Sequence, residues 1–130
     1  MFIKYLPIFA KTNILYYMDT IYLAQFYKAL SEPVRLRIVN LLLQRDELCV
    51  CDIVTTLSLP QSVVSRHLAY LKKGTLVKSR RQGNWQYYAL TLMEPSNPLH
   101  YLLNILKHAF QHCTDCNQDV LNLSQTMDCC

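Results

Sequence analysis

Gly74 divides this chain into two regimes of hydrophobic period. Before it, apolar residues recur at helical spacing: Leu23, Phe26, Tyr27 and Leu30 first, then Val34, Ile38, Leu41 and Leu42. After it, "LVKSRR" and "NWQYYAL" are rich in β-branched and aromatic residues and are separated by Gln82-Gly83. A helix-period pattern does not settle as a strand, so the chain must turn from helices to a hairpin at this point. A helical stripe then returns with Leu99, Leu102, Leu103, Leu106 and Phe110, bracketed at its start by Pro95 and Pro98.

The earlier half subdivides further. Ser31 is a cap candidate with Pro33 in the first turn of a second helix. Asp46 is placed to cap a third helix running through "ELCVCDIVTTL". "SLP" breaks the pattern, and "QSVVSRHLAYLKKG" supplies a fourth helix ending at Gly74. Helix, helix, helix–turn–helix, hairpin, helix is the order of a winged helix-turn-helix, mainly α with a small β-hairpin. The expected domain runs over 18–112. It is preceded by an extension, 1–17, that lies upstream if Met18 is the natural start. It is followed by a loosely ordered, cysteine-bearing tail, 113–130.

Charge points to the same elements. Between Ile53 and Met93 there is no acidic residue, yet Arg66, Lys72, Lys73, Lys78, Arg80 and Arg81 lie there. The remainder balances seven basic residues against nine acidic ones, within a net charge of +4. A one-signed block over one helix and its hairpin is the footprint of a polyanion site, here double-stranded DNA. On a helical wheel Val64, Leu68 and Leu71 face inward, and Ser62, Arg66, Ala69 and Lys73 lie nearly opposite, with Ser65 and Lys72 on the flank. Gln61, Ser62, Ser65, Arg66 and Lys73 are therefore the candidate DNA-facing residues of the helix, and Arg80 and Arg81 those of the hairpin. His67 falls about 60° from the buried centre, a boundary position. It is a weaker candidate, suited equally to local packing. Trp85 and Tyr87 alternate at strand spacing, as hairpin core residues would.

Hydrophobic residues form 52% of the chain, which excludes a disordered segment. No uninterrupted apolar run reaches the roughly 18 residues that a membrane helix needs. The opening "MFIKYLPIFAKTNILYYM" lacks a small-residue cleavage site, so a cytoplasmic location is expected. There, six cysteines are more readily metal ligands or redox thiols than structural disulfides. No Cys–His–acid set or phosphate-cradling glycine loop is present, and Cys113-Thr114-Asp115-Cys116 lacks the βαβ context of a redox enzyme, so catalysis is not expected.

"ALSEPVRLRIVNLLL", "ELCVCDIV", "SVVSRHLAYLKKGTLV" and "RRQGNWQYYAL" resemble the ArsR/SmtB family of metal-responsive winged-helix repressors, and its arsenical-resistance branch most. The likeness spans roughly Ile21 to Leu106, with "ELCVCD" its specific part. It implies a homodimer, joined through the first and last helices, that holds operator DNA until an inducer binds. In the arsenical branch the two cysteines of "ELCVCD" bind As(III) or Sb(III), which carries over to Cys49 and Cys51. On a regular helix residues i and i+2 point about 200° apart. Joint coordination is therefore expected to unwind the first turn of the third helix and disturb the recognition helix packed on it. Repressors of this pattern often have a third cysteine where Val54 stands. The third ligand then comes from solvent or a small thiol, or from Cys113, Cys116, Cys129 or Cys130, unless these form a site of their own. Two alternatives remain open: a cadmium- or lead-sensing repressor of the same family, and one whose thiols sense oxidation.

Overall fold

A computed structural model describes residues 18–91 and 95–126. The 1–17 extension and the pair Cys129 and Cys130 lie outside the described residues. Helix α1 (Thr20–Leu30) begins where the Asp19 carboxylate accepts from the Tyr22 N–H at 2.8 Å. Helix α2 (Pro33–Gln44) is capped by Glu32, whose carboxylate accepts from the Arg35 N–H at 2.9 Å, and not by Ser31, which closes α1 instead. Pro33 occupies the first helical position, where its missing N–H costs no hydrogen bond.

The third helix departs from expectation. Residues Leu48–Cys49 form a short strand, β1, and helix α3 (Val50–Leu57) starts only after it, with Cys49 rather than Asp46 at the N-cap. Ser58 in the left-handed region (φ 52°) closes α3, and Leu59-Pro60 leads into α4 (Gln61–Lys73). Strands β2 (Val77–Gln82) and β3 (Trp85–Leu90) form the hairpin around Gly83-Asn84. Gly83, at φ 59°, takes the first position of that turn, which a side chain would strain. β1 adds to the outer edge of β3, so the wing is a three-stranded antiparallel sheet of order β1-β3-β2 and not an isolated hairpin. Helices α5 (His100–Phe110) and α6 (Thr114–Gln125) complete the chain.

The core is one cluster built by Phe26, Ile38, Leu41, Ile53, Leu68, Leu71, Leu76 and Leu103, all essentially inaccessible. Val64, Leu68 and Leu71 are buried as their spacing predicts. The expected loose tail is instead helix α6, packed on α2 and α3. Arg37 reaches Asp119 with two hydrogen bonds of 2.8 Å, and Asn40 Nδ2 donates to the Cys116 carbonyl at 3.2 Å. Cys116 and Leu123 join the core. The polar composition of "TDCNQDVLNLSQ" hid a helix whose inward face is anchored by an ion pair as much as by apolar burial.

Candidate thiol site and nucleic-acid interface

Cys49 ends β1 and Cys51 sits in the first turn of α3. The Cys49 backbone is extended (φ −70°, ψ 146°), so its side chain does not follow the helical direction. The two sulfurs consequently lie 3.0 Å apart. This overturns the expectation that a regular helix separates them and must unwind to bring them together. A strand-to-helix junction falls between the two cysteines and performs the convergence with α3 intact. Cys49 is buried (1% exposed) and Cys51 is half-buried.

Cys113 and Cys116 stand apart from this pair. Cys113 is the N-cap of α6 and half-buried, and Cys116 is buried in the first turn of that helix. Burial, with the Cys116 S–H directed toward Cys113 next in weight, pushes the Cys116 thiol up to about 12 from an ordinary 9.0. Among the described residues, no group of three or more His, Cys, Asp or Glu is placed to hold a metal ion. Within one chain, therefore, Cys113 and Cys116 do not complete a three-ligand set with Cys49 and Cys51. His108 near the end of α5 and His112 in the turn that follows are exposed, with ring centroids 5.4 Å apart.

The outer side of α4 is open. Gln61, Ser62, Arg66 and Lys73 are exposed and Ser65 is half-buried. His67 turns away from that side, its Nδ1 lying 3.6 Å from the Glu32 carboxylate that caps α2. That contact brings α4 against the start of α2, the packed alternative for a boundary histidine. Lys72 Nζ donates to Ser79 Oγ at 2.8 Å, which ties α4 to the wing.

In the wing the two arginines differ. Arg81 is exposed, with Nε donating to the Gly83 carbonyl at 3.2 Å. Arg80 is held by Glu47 through two bonds of 2.7 and 2.5 Å, and its guanidinium lies 4.6 Å from the Tyr87 ring centroid. The Arg80 bond holds the Glu47 carboxyl below its usual range. Trp85 is exposed (42%) and not in a wing core, standing opposite Gln82 in the pair next to the hairpin turn. Glu47 was not legible as a site residue. The only hint was its place two residues before Cys49, in a segment read as helix.

The register links these features. Cys49 pairs with Tyr87 across β1–β3, and Tyr87 pairs with Arg80 across β3–β2. The thiol pair is thus one end of a row that runs through the sheet to a basic residue of the wing.

Helices α3 and α4 joined by a tight turn, followed by a hairpin with basic side chains, define a winged helix-turn-helix. Residues 32–79 match the family profile described as "Bacterial regulatory protein, arsR family". The chain is 46% identical over 67 residues to the arsenical resistance operon repressor of Escherichia coli, covering 52% of this chain and 57% of that protein. It is 43% identical over 70 residues to the cadmium resistance transcriptional regulatory protein CadC of Listeria innocua, covering 54% of this chain and 59% of that one. Among solved structures it is similar to the homodimeric winged helix-turn-helix DNA-binding domain Mb0332 of Mycobacterium bovis, a candidate ArsR-family regulator. That likeness has a TM-score of 0.59 at 30% identity and covers 72% of this chain and 82% of that one. The chain belongs to the arsR family of bacterial transcriptional regulators. It spans a little over half the length of the arsenical and cadmium relatives it matches.

Proposed function

We propose that this chain represses transcription as a homodimer on operator DNA and releases the DNA when As(III) or Sb(III) binds Cys49 and Cys51. The observation that carries this reading is the 3.0 Å approach of the two sulfurs at the β1–α3 junction. Soft trivalent ions favour thiolate sulfur, and the N-terminus of α3 favours the anionic form that binds. A small thiol, solvent or a cysteine of the second subunit supplies the third ligand.

The dimer is supported by the apolar surface left on the terminal helices. Ile21 and Tyr27 on α1 and Tyr101 and Ile105 on α5 are each more than half exposed. Pairing two copies there sets two α4 helices side by side, as half-sites about one DNA turn apart require. The similarity to the homodimeric Mb0332 domain agrees.

With the thiols already converged, release works through displacement and not through unwinding. An ion between the sulfurs pulls on the end of β1, and β1 carries the backbone pairing to β3, the central strand of the wing. Emptying a well-occupied operator requires the ion to prefer the released state by about 10⁴. Cadmium sensing is the second reading, favoured by the comparable identity to CadC.

Gel shift on the operator with excess reductant separates the two. Arsenite or antimonite releasing the DNA below the concentration at which cadmium does, with loss of that release in Cys49→Ser and Cys51→Ser, is the expected result. Release by cadmium alone transfers the assignment to the second reading, and arsenite release retained in both variants refutes the thiol site.

A further inference from the structure

We infer that Cys113 and Cys116 form a dithiol switch of their own, closing to an intramolecular disulfide by exchange with a low-molecular-weight disulfide. The inference is independent of what binds at Cys49 and Cys51. Cys113 caps α6, its carbonyl already accepting the first helical bond from the Asn117 N–H at 3.0 Å, so Cys113 and Cys116 share one helical turn. Residues three apart on such a turn have Cα atoms about 5 Å apart, inside the roughly 4.4–6.8 Å that a disulfide spans. An N-cap side chain naturally bends toward the third residue of the helix. Cys113 stands at the N-cap and Cys116 at the third helical position, the pair of positions between which that bend brings side chains together.

Their exposures divide the labour. Cys113 is half-buried and open to a reagent, whereas Cys116 is 2% exposed and reached only through Cys113. The Cys113 thiolate attacks one sulfur of the reagent disulfide, forming a mixed disulfide and expelling one thiolate. The Cys116 thiol then attacks the Cys113 sulfur, its proton passing to the second thiolate as that group is expelled. The protein loses two electrons and two protons, and the reagent leaves as two thiols. The ring closes over the turn whose Cys116 carbonyl accepts from Asn40 and whose next turn holds Asp119 against Arg37, so oxidation constrains the start of α6 where it meets α2.

The test uses the full chain carrying Cys129→Ser and Cys130→Ser. Its last tryptic fragment, 108–130, then contains Cys113 and Cys116 alone. The protein is equilibrated over a series of reduced-to-oxidised glutathione ratios, alkylated with iodoacetamide after denaturation, and mass-mapped. The expected result is a fragment lighter by two hydrogens and carrying no alkyl group at oxidising ratios, returning to two alkyl groups with dithiothreitol. Adding Cys116→Ser should trap a glutathione adduct on Cys113, while adding Cys113→Ser should leave Cys116 unmodified in the folded protein. A fragment that keeps two alkyl groups at every ratio, or a wild-type pair that stops at the glutathione adduct, overturns the inference. Glutathionylation of Cys116 in Cys113→Ser overturns the assigned order of attack.

Discussion

Removing the Arg37 guanidinium tests what holds α6 in place. Asp119 is 1% exposed, and its two oxygens each accept from Arg37 at 2.8 Å. That hydrogen bonding is also the main reason the Arg37 pKa lies above its ordinary value. Hydrogen bonds to charged groups contribute about 1.5–3 kcal/mol, and the Arg37 side chain is 28% exposed, which weakens them toward the lower end. Arg37→Ala strands a buried carboxylate and should cost about 3 kcal/mol. Asp119→Asn keeps one acceptor and should cost about 1 kcal/mol. The double variant Arg37→Ala/Asp119→Ala leaves no unpaired charge, so it should cost less than the sum of the two alanine singles, with a coupling of about 1–2 kcal/mol. In urea, at a slope of about 1.5 kcal/mol per molar, Arg37→Ala should lower the midpoint by roughly 2 M. Amide exchange in 114–125 should accelerate more than in α4, because the lost contact is local to α6. Additive single variants, or equal exchange in both helices, would show that apolar burial of Cys116 and Leu123 alone seats this helix.

Other outcomes follow from single contacts. Glu47→Gln releases the Arg80 side chain, so operator affinity should rise and the salt dependence of binding should steepen by about 0.9 in log–log slope per protomer, measured by fluorescence anisotropy. An unchanged slope would show that Arg80 meets no phosphate. A Cβ on Gly74 would lie 2.8 Å from the Ala29 Cβ, so Gly74→Ala should destabilise by about 1–3 kcal/mol. The double variant with Ala29→Gly should recover part of that loss in a thermal melt. Cys116 titrates at about 12 when folded against 9.0 ordinarily, so the unfolded chain loses this proton first as pH rises. Its contribution to stability is therefore complete below pH 9 and declines between 9 and 12, and Cys116→Ser should flatten that decline in urea titrations.

Periodicity carried most of the architecture. Val64, Leu68 and Leu71 had to face inward because helical spacing leaves them no other common side, and the change of period at Gly74 placed the wing. The unmixed basic block likewise located the exposed face of α4, since no neutralising acid lies nearby in sequence. Three features needed the folded chain. β1 is only two residues long and exists because β3 offers a free edge, so nothing local in "ELC" distinguishes it from a helix start. That strand, not any propensity of the cysteines, turns an i, i+2 pair into sulfurs 3.0 Å apart. The tail became a helix because Arg37, 82 residues earlier, supplies a partner for Asp119, and Arg80 is occupied because Glu47, 33 residues earlier, reaches it. Residue type and spacing determined which groups are available, and contacts between distant segments decided which of them meet, because pairing energies act through space and leave no periodic trace along the chain.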